Sequence, residues 1–188
     1  MLLFIIIWIL FLALHSVLAG AMVKAKIIKY TGLPERGYRV AYNFFNFIYL
    51  LLVLIVLFNT DSMFLFNSSV AFKLTGIVLA IAGAVLILYC FRHYQLSQFI
   101  GLKEEVNMKL NIKGPNRFVR HPLYAGTILL VMGICIYKPV TVNWVFFLLM
   151  LIYIIIGIEI EEKKLIRIFR DDYERYRKRT KKLIPFIY

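Results

Sequence analysis

GPNRFVRHPLYAG, at residues 114–126, gathers polar and helix-starting residues at the edge of a long apolar run. Pro122 suits the first turn of a helix, where its missing N–H costs no hydrogen bond, and the apolar residues after it supply that helix. The free N–H groups and the positive end of the helix dipole would then face Arg120, His121 and Tyr124. Such a corner favours an anionic group. The stretch therefore predicts a ligand-binding corner at the start of a helix.

The same residues also fit an ordinary membrane boundary. In that interpretation Arg120 is a positive-inside anchor, His121 is a solvated helix cap and Tyr124 is an interfacial aromatic residue. This stretch alone leaves both interpretations open.

The composition indicates an integral membrane protein. The chain has 188 residues, 62% of them hydrophobic, and the apolar residues occur in runs too long for a soluble core. The formal charge of +13 would suit nucleic acid, but the basic residues are divided between the apolar runs. Membrane topology explains that division, so we expect no nucleic-acid partner. Cys90 and Cys135 are interpreted as buried apolar residues.

The apolar runs predict an all-α integral membrane protein with about five transmembrane helices, at residues 2–23, 40–58, 70–91, 123–137 and 141–158. The last two form a C-terminal helical hairpin, and the charged residues after it predict a cytoplasmic amphipathic helix. We expect a loop at 24–39, and Gly76 and Gly83 could permit close helix packing. These segments make up a single membrane domain over 1–188, namely three N-terminal spans in 1–91, a cytoplasmic cofactor loop in 92–122, the hairpin in 123–158 and the C-terminal helix in 159–188.

The basic residues predict the orientation of the chain. Ten Lys and Arg residues follow position 158, five lie in 24–39 and six in 92–120, whereas only Lys73 and Lys138 lie near the other side. The positive-inside rule then places the N-terminus outside and the C-terminus in the cytoplasm of the cell (inner) membrane.

Two motifs carry a resemblance to a known family. RHPLYAG, at 120–126, resembles the R-H-P-x-Y-x-G signature of the isoprenylcysteine carboxyl methyltransferase and phospholipid methyltransferase superfamily. EEKKLIRIFRDDYERY, at 161–176, followed by Pro185, resembles the second motif of that family, E-E-x-x-L-x-x-x-F-G-x-x-Y-x-x-Y with a later proline. The match covers 110–185 and departs at Arg170, where the family usually has glycine.

The N-terminal half carries a weaker resemblance. His15-Ser16, a basic loop and YRVAYN at 38–43 are similar to bacterial members of the superfamily, including the methanethiol methyltransferase and NnrU-like groups. A histidine inside a span is either functional or satisfied by a backbone carbonyl on another helix, and both roles stay open for His15.

The resemblance implies S-adenosylmethionine as cofactor, with a strip at 108–111 lining its adenosine. The cofactor-binding residues that it implies are Leu110, Gly114, Asn116, His121, Pro122, Leu123, Tyr124 and Glu161. The candidate catalytic residues are Arg120, His121 and Glu162. Glu161 would contact the cationic cofactor, and His121 or Glu162 could remove a proton from the acceptor.

Methyl transfer from a sulfonium is an in-line displacement, so alignment and exclusion of water matter most. Isoprenylcysteine enzymes carry an arginine for the substrate carboxylate one turn before the glutamate pair, and this chain has Gly157 there. That difference argues against a prenylcysteine carboxylate. We expect a small-molecule or lipid-like methyl acceptor, with a thiol, an amine or another carboxylate as the methylated group, that enters from the membrane lipid. Two alternatives stay open. One is a sterol-reductase-like enzyme using NADPH, although Leu123 and Thr127 depart from its motif, and the other is a non-catalytic membrane protein that keeps the fold.

Overall fold

The computed structural model describes residues 1–94 and 110–185. Over these residues the chain is helical, and its two β-bridges are isolated pairs of residues. The helices are α1 Leu2–Ala19, α2 Ala21–Thr31, α3 Glu35–Phe58, α4 Val70–His93, α5 Pro122–Tyr137, α6 Thr141–Phe169 and α7 Asp171–Arg179, with a short 3-10 helix at Gly114–Arg117. The chain divides into two units, which are described separately: unit 1 is Met1–Met63, and unit 2 is Phe64–Tyr94 together with 110–185.

Unit 1 differs from the prediction between its two long helices. The predicted span at 2–23 ends early, because Gly20 adopts an extended conformation that separates α1 from α2. The predicted loop at 24–39 is wrong, since most of it is helical. Its lysines are good helix formers, and only the residues around Gly32, at φ 68°, and Pro34 interrupt the helix. The polar residues of this segment are exposed to solvent, but most of their backbone is regular helix.

Aromatic side chains hold α1 against α3 in unit 1. Phe4, Trp8 and Phe11 are the buried residues of α1. The rings of Trp8 and Phe11 stack, with 5.3 Å between centroids, and Phe11 meets Tyr49 of α3 edge-on at 5.4 Å. Such pairs add specific geometry to the area that the rings bury.

His15 has side-chain partners on α3. Its Nδ1 lies 3.0 Å from Oδ1 of Asn46 and 3.0 Å from the hydroxyl of Tyr42. That hydroxyl also lies 3.3 Å from the backbone carbonyl of His15, to which it can donate. His15 therefore has polar side-chain partners on a neighbouring helix.

A glycine-lined contact joins α4 to α5 in unit 2. A Cβ atom on Gly83 would lie 2.4 Å from the backbone nitrogen of Leu130, and one on Gly133 would lie 2.4 Å from that of Ala80. Gly76 and Gly126 meet backbone atoms of the opposite helix in the same way. We call these four glycines the glycine seam. The close packing expected at Gly76 and Gly83 is confirmed.

The predicted C-terminal helix at 159–188 is wrong in two respects. The span predicted to end at 158 continues as α6 to Phe169, and the backbone then turns sharply at Arg170, with φ 46° and ψ −121°. Beyond this corner α7 has only nine residues, and Thr180 is extended. The charged residues correctly indicated a surface exposed to water. They did not indicate that the helix axis would change direction at Arg170.

The helices fit a multi-pass membrane protein. Among the described residues, α1, α3, α4 and α6 are long and apolar enough to cross a bilayer. Helix α5 is apolar but has 16 residues, which span about 24 Å against a hydrocarbon core of about 30 Å. The predicted fold class, all-α and integral to the membrane, is confirmed.

Candidate active site

The start of α5 forms the centre of the site. Pro122 occupies its first turn, as predicted, and His121 precedes it without a side-chain capping bond. His121 is 5% exposed, and the side chain of Arg120 is 7% exposed. The alternative interpretation of a solvated cap and a solvated anchor is therefore wrong for these two residues.

Arg120, His121 and Glu162 form a buried group, which we call the motif cluster. Nε of Arg120 donates to Oε1 of Glu162 at 2.7 Å, and Nε2 of His121 lies 3.2 Å from the same oxygen. The Glu162 side chain is only 5% exposed. A buried carboxylate is stable only when it is paired and hydrogen-bonded, and here one cation and one imidazole do this. The first motif and the second motif thus meet at Glu162.

The segment after α7 completes the surroundings of Arg120. Nη1 of Arg120 donates to the carbonyls of Thr180 and of Arg177. The backbone N–H of Arg120 donates to the Lys181 carbonyl at 2.8 Å, and that of His121 donates to the Lys182 carbonyl at 3.0 Å. Nothing in the sequence singles out this returning segment, because its contribution comes from backbone carbonyls that any residue would supply.

Asn116 holds the 3-10 helix to the motif cluster. Its amide nitrogen donates to the Arg120 carbonyl at 3.2 Å, and its side-chain oxygen accepts from the Tyr94 hydroxyl at 2.8 Å. The Tyr176 hydroxyl donates to the Asn116 carbonyl at 2.6 Å. Burial raises the pKa of Tyr176 to about 12, so this hydroxyl keeps its proton and its role as donor. Both polar ends of the Asn116 side chain are therefore engaged within the protein.

Tyr173 of the second motif packs behind the motif cluster. Its side chain is 1% exposed, and its hydroxyl has no hydrogen-bond partner among the described residues. Burial raises the pKa of this phenol, and the nearby Glu162 carboxylate raises it further. Tyr173 is thus a buried, neutral phenol beside the Glu162 carboxylate.

Glu161 differs from its neighbour Glu162 in exposure. Its side chain is 44% exposed, and Oε2 lies 3.7 Å from Nδ1 of His121. The ring of Tyr124 stacks on the His121 ring, with 5.7 Å between centroids, and its hydroxyl faces Glu161. His121 and Glu161, which the resemblance names as cofactor-binding residues, therefore lie side by side. We call Glu161 and Tyr124 the outward pair.

The remaining predicted residues lie around this group. Gly114, at φ 58°, packs on His93, where a Cβ atom would come within 2.4 Å of the imidazole. Leu123 is half-buried in α5. Leu110 lines a separate groove of about 690 Å³ that includes neither His121 nor Glu161 among its lining residues. Positions 108 and 109 of the strip expected to line adenosine lie outside the described residues.

Four or five apolar helices with a buried charge cluster at the start of α5 define a multi-pass helical membrane protein that carries both motifs. Residues 3–187 match the family model described as NnrU protein, so the chain belongs to the NnrU family. This family and the relatives below confirm the resemblance to the isoprenylcysteine carboxyl methyltransferase-like membrane superfamily.

Three curated relatives are similar to this chain. Methanethiol S-methyltransferase of Crocosphaera subtropica is 31% identical over 185 residues, which cover 92% of this chain and 70% of that protein. Methanethiol S-methyltransferase 1 of Bradyrhizobium diazoefficiens is 30% identical over 129 residues, covering 60% and 42%. Methanethiol S-methyltransferase of Pseudomonas deceptionensis is 40% identical over 70 residues, covering 37% and 26%. No solved structure matches the chain.

Proposed function

We propose that this chain is a membrane methyltransferase that uses S-adenosylmethionine and methylates a small thiol or another lipid-soluble acceptor. The observation that carries the proposal is the contrast between two adjacent carboxylates. Glu162 is buried and neutralised by Arg120, whereas Glu161 is half-exposed beside two aromatic rings. One carboxylate fixes the site, and the other is available to a ligand.

The outward pair suits a cationic cofactor. A partly desolvated carboxylate binds an ammonium through charge-assisted hydrogen bonds, and the face of Tyr124 attracts a positive charge. When bound, the cofactor supplies an activated methyl group on a sulfonium. Glu161 would hold its positive charge, while the half-buried Leu123 would line the apolar side of the site, and the fully buried Pro122 would set the start of α5 from behind.

The other residues of the motif cluster then act by position. Glu162 already accepts from Arg120 and lies against His121, so proton uptake there would weaken a buried ion pair. Of the two candidate bases, we therefore favour His121. Its second ring nitrogen faces the half-exposed Glu161, which offers a path for a proton to water. Arg120 and Glu162 would position this imidazole.

The small thiol is the acceptor that we favour because three relatives are named for methanethiol S-methylation. Gly157 supports this choice. It leaves no arginine one turn before Glu161, and a Cβ atom at Gly157 would meet nothing within 4 Å. An apolar acceptor reaching the site from the bilayer needs no such cation.

Calorimetric titration of the detergent-solubilised protein with S-adenosylmethionine tests the cofactor. Replacing Glu161 with Gln should weaken binding at least about tenfold, because charged pairs in partly buried sites contribute a few kcal/mol. Tyr124→Ala should act in the same direction. Glu159→Gln is the matched control, since Glu159 is a similarly exposed carboxylate on α6 that pairs with Lys182. Equal affinities for Glu161→Gln and the parent would remove Glu161 from the site.

The acceptor is identified by incubating purified protein with methyl-labelled cofactor and either a panel of small thiols or a lipid extract. We expect label in volatile sulfides from the thiol panel. Label found in the lipid fraction alone would show that the acceptor is a lipid and not a small thiol. Cofactor binding without label in any acceptor would favour a non-catalytic protein.

We also propose that the N-terminus lies outside and the C-terminus in the cytoplasm of the cell membrane. Single cysteines at Asp61, Lys138, Lys29, Lys109 and Lys178 test this in intact cells with an impermeant thiol reagent. The first two positions should react and the last three should not. The native Cys90 and Cys135 are fully buried, so they give little background. Labelling at position 178 in sealed cells would reverse the orientation.

A further inference from the structure

A groove opens in unit 2 where α6 ends and α7 begins. Its volume is about 690 Å³, and Leu110, Ile112 and Phe169 form its apolar wall. Two of the lining residues, Tyr176 and Thr180, also hold the surroundings of the motif cluster. Tyr176 donates to the Asn116 carbonyl, and the Thr180 carbonyl accepts from Arg120. Its lining includes neither member of the outward pair, so the groove does not contain the carboxylate that we propose for the cofactor.

The charged residues that line the groove form a mainly basic wall. Three arginines, Arg117, Arg175 and Arg179, line it against one carboxylate, Asp172. Asp172 is already paired with Arg175 at 2.5 Å. Arg117 and Arg179 have no carboxylate partner among the described residues. The net charge of this wall disfavours a cationic ligand such as a sulfonium and favours an anion.

We propose that this groove binds the phosphate headgroup of an acidic membrane phospholipid. Arginine forks match phosphate oxygens through paired, charge-assisted hydrogen bonds. The apolar wall would take the glycerol and the first methylenes of the chains. Apolar and basic residues that line one groove suit an amphiphilic anion.

The position of the groove along α6 agrees with a lipid ligand. Helix α6 has 29 residues, whereas about 20 cross the hydrocarbon core, so its last turns lie at the headgroup level or just beyond it. Apolar side chains are exposed in the groove and next to it, since Ile112 of its lining is 49% exposed and Phe118, which follows Arg117, is 57% exposed. Basic residues next to exposed apolar ones are typical of surfaces that lie in a membrane interface.

Lipid binding by the full-length protein is measured by native mass spectrometry in detergent, with phosphatidylglycerol and with phosphatidylcholine. The variant Arg117→Gln/Arg179→Gln should weaken phosphatidylglycerol binding roughly tenfold or more, since each cation near a headgroup contributes appreciably. It should leave phosphatidylcholine binding unchanged. Phosphatidylglycerol should also raise the unfolding temperature of the parent protein and not of the variant, because a ligand stabilises the state that binds it.

Arg167→Gln/Lys178→Gln is the matched control. It removes the same charge from two exposed residues of α6 and α7 that do not line the groove. An equal loss in this control would show general attraction to a charged surface and overturn the groove. Undiminished phosphatidylglycerol binding by Arg117→Gln/Arg179→Gln would also overturn the proposal. Displacement of the lipid by an equal concentration of glycerol 3-phosphate would replace the lipid with a soluble phosphate compound and so overturn the proposal.

Discussion

The glycine seam and the motif cluster hold the same helix by opposite means. At the seam, α5 meets α4 without side chains between the two backbones, because a Cβ atom on Gly83 or Gly133 would lie 2.4 Å from a backbone nitrogen. At the motif cluster, the start of α5 is fixed by charged side chains that are almost fully buried. The seam tolerates no added volume, and the cluster tolerates no unpaired charge.

The two contacts lie close together in the chain, because His121 of the motif cluster directly precedes α5 and Gly126 of the seam lies in its second turn. Gly126 belongs to the seam, and Tyr124 belongs to the outward pair. A helix that cannot slide along α4 keeps its own start, and with it His121, in one place, and the proposed methyl transfer requires such alignment. The apolar contact therefore contributes to function without supplying a chemical group.

The largest effect is expected at the motif cluster. Glu162→Ala leaves the Arg120 guanidinium buried without its carboxylate, and loss of one partner of a buried pair costs about 3–5 kcal/mol. Chemical unfolding in detergent measures this loss. Glu161→Ala is the control, because its carboxylate is 44% exposed and such exposed groups contribute about 1 kcal/mol or less. Equal losses in the two variants would show that burial does not distinguish the two glutamates.

A double variant sharpens the same comparison. Arg120→Met/Glu162→Leu removes both charges and keeps most of the volume, so it should recover part of the stability that Glu162→Ala loses. It should not recover cofactor binding, because His121 loses its positioning partner. Recovery of both properties would mean that the buried pair is dispensable to the site.

A smaller effect is expected at the glycine seam. Gly83→Ala places a methyl group against the α5 backbone, and overpacking of this kind costs about 1–3 kcal/mol. Gly157→Ala is the matched control, because its added Cβ would meet nothing within 4 Å. Alanine also has the higher helix propensity, so the control should be neutral or slightly stabilising. Thermal unfolding distinguishes them, and similar shifts for both would exclude backbone contact at the seam.

The sequence predicted the participants of the site better than their contacts. The resemblance of the two motifs to a known family implied Arg120, His121 and Glu162, which the structure brings into contact. The motifs did not reveal which glutamate is buried, since adjacent positions on a helix point about 100° apart and only packing decides which faces the interior. The backbone carbonyls that Arg120 meets after α7 were also beyond prediction, because a carbonyl carries no residue signature.

The helix boundaries could also be predicted only where burial leaves a pattern in the sequence. The apolar runs predict the bounds of α4 and α5 to within two residues. The polar stretch at 24–39 predicts a loop, although α2 is helical there. Hydrophobic periodicity predicts a helix only where one face of the helix is buried. Helix α2 has no buried residue, so its sequence shows no such periodicity. Local backbone signals were equally weak at the end of α6, where an arginine, and not a glycine, marks the corner.

That corner provides the smallest expected effect. Arg170 is the only described non-glycine residue with positive φ, at 46°, and its carbonyl accepts the N–H groups of Tyr173 and Glu174 at 3.1 Å each. This conformation costs a side-chain-bearing residue about 1–3 kcal/mol, while glycine adopts it freely and loses about 0.5–1 kcal/mol through its more flexible unfolded state. Arg170→Gly should therefore stabilise the protein by about 1 kcal/mol in thermal unfolding.

The control for this prediction is Arg167→Gly, an exposed position inside α6 where glycine should cost about 1 kcal/mol. If both glycines destabilise equally, the corner does not hold the positive φ, and α6 and α7 join differently. A gain at position 170 alone would complete the contrast with the seam. At the seam, glycine is present because no side chain fits between two helices. At the corner, the backbone favours glycine, and the chain holds the arginine in place through the contacts of α7 and Thr180 with the motif cluster.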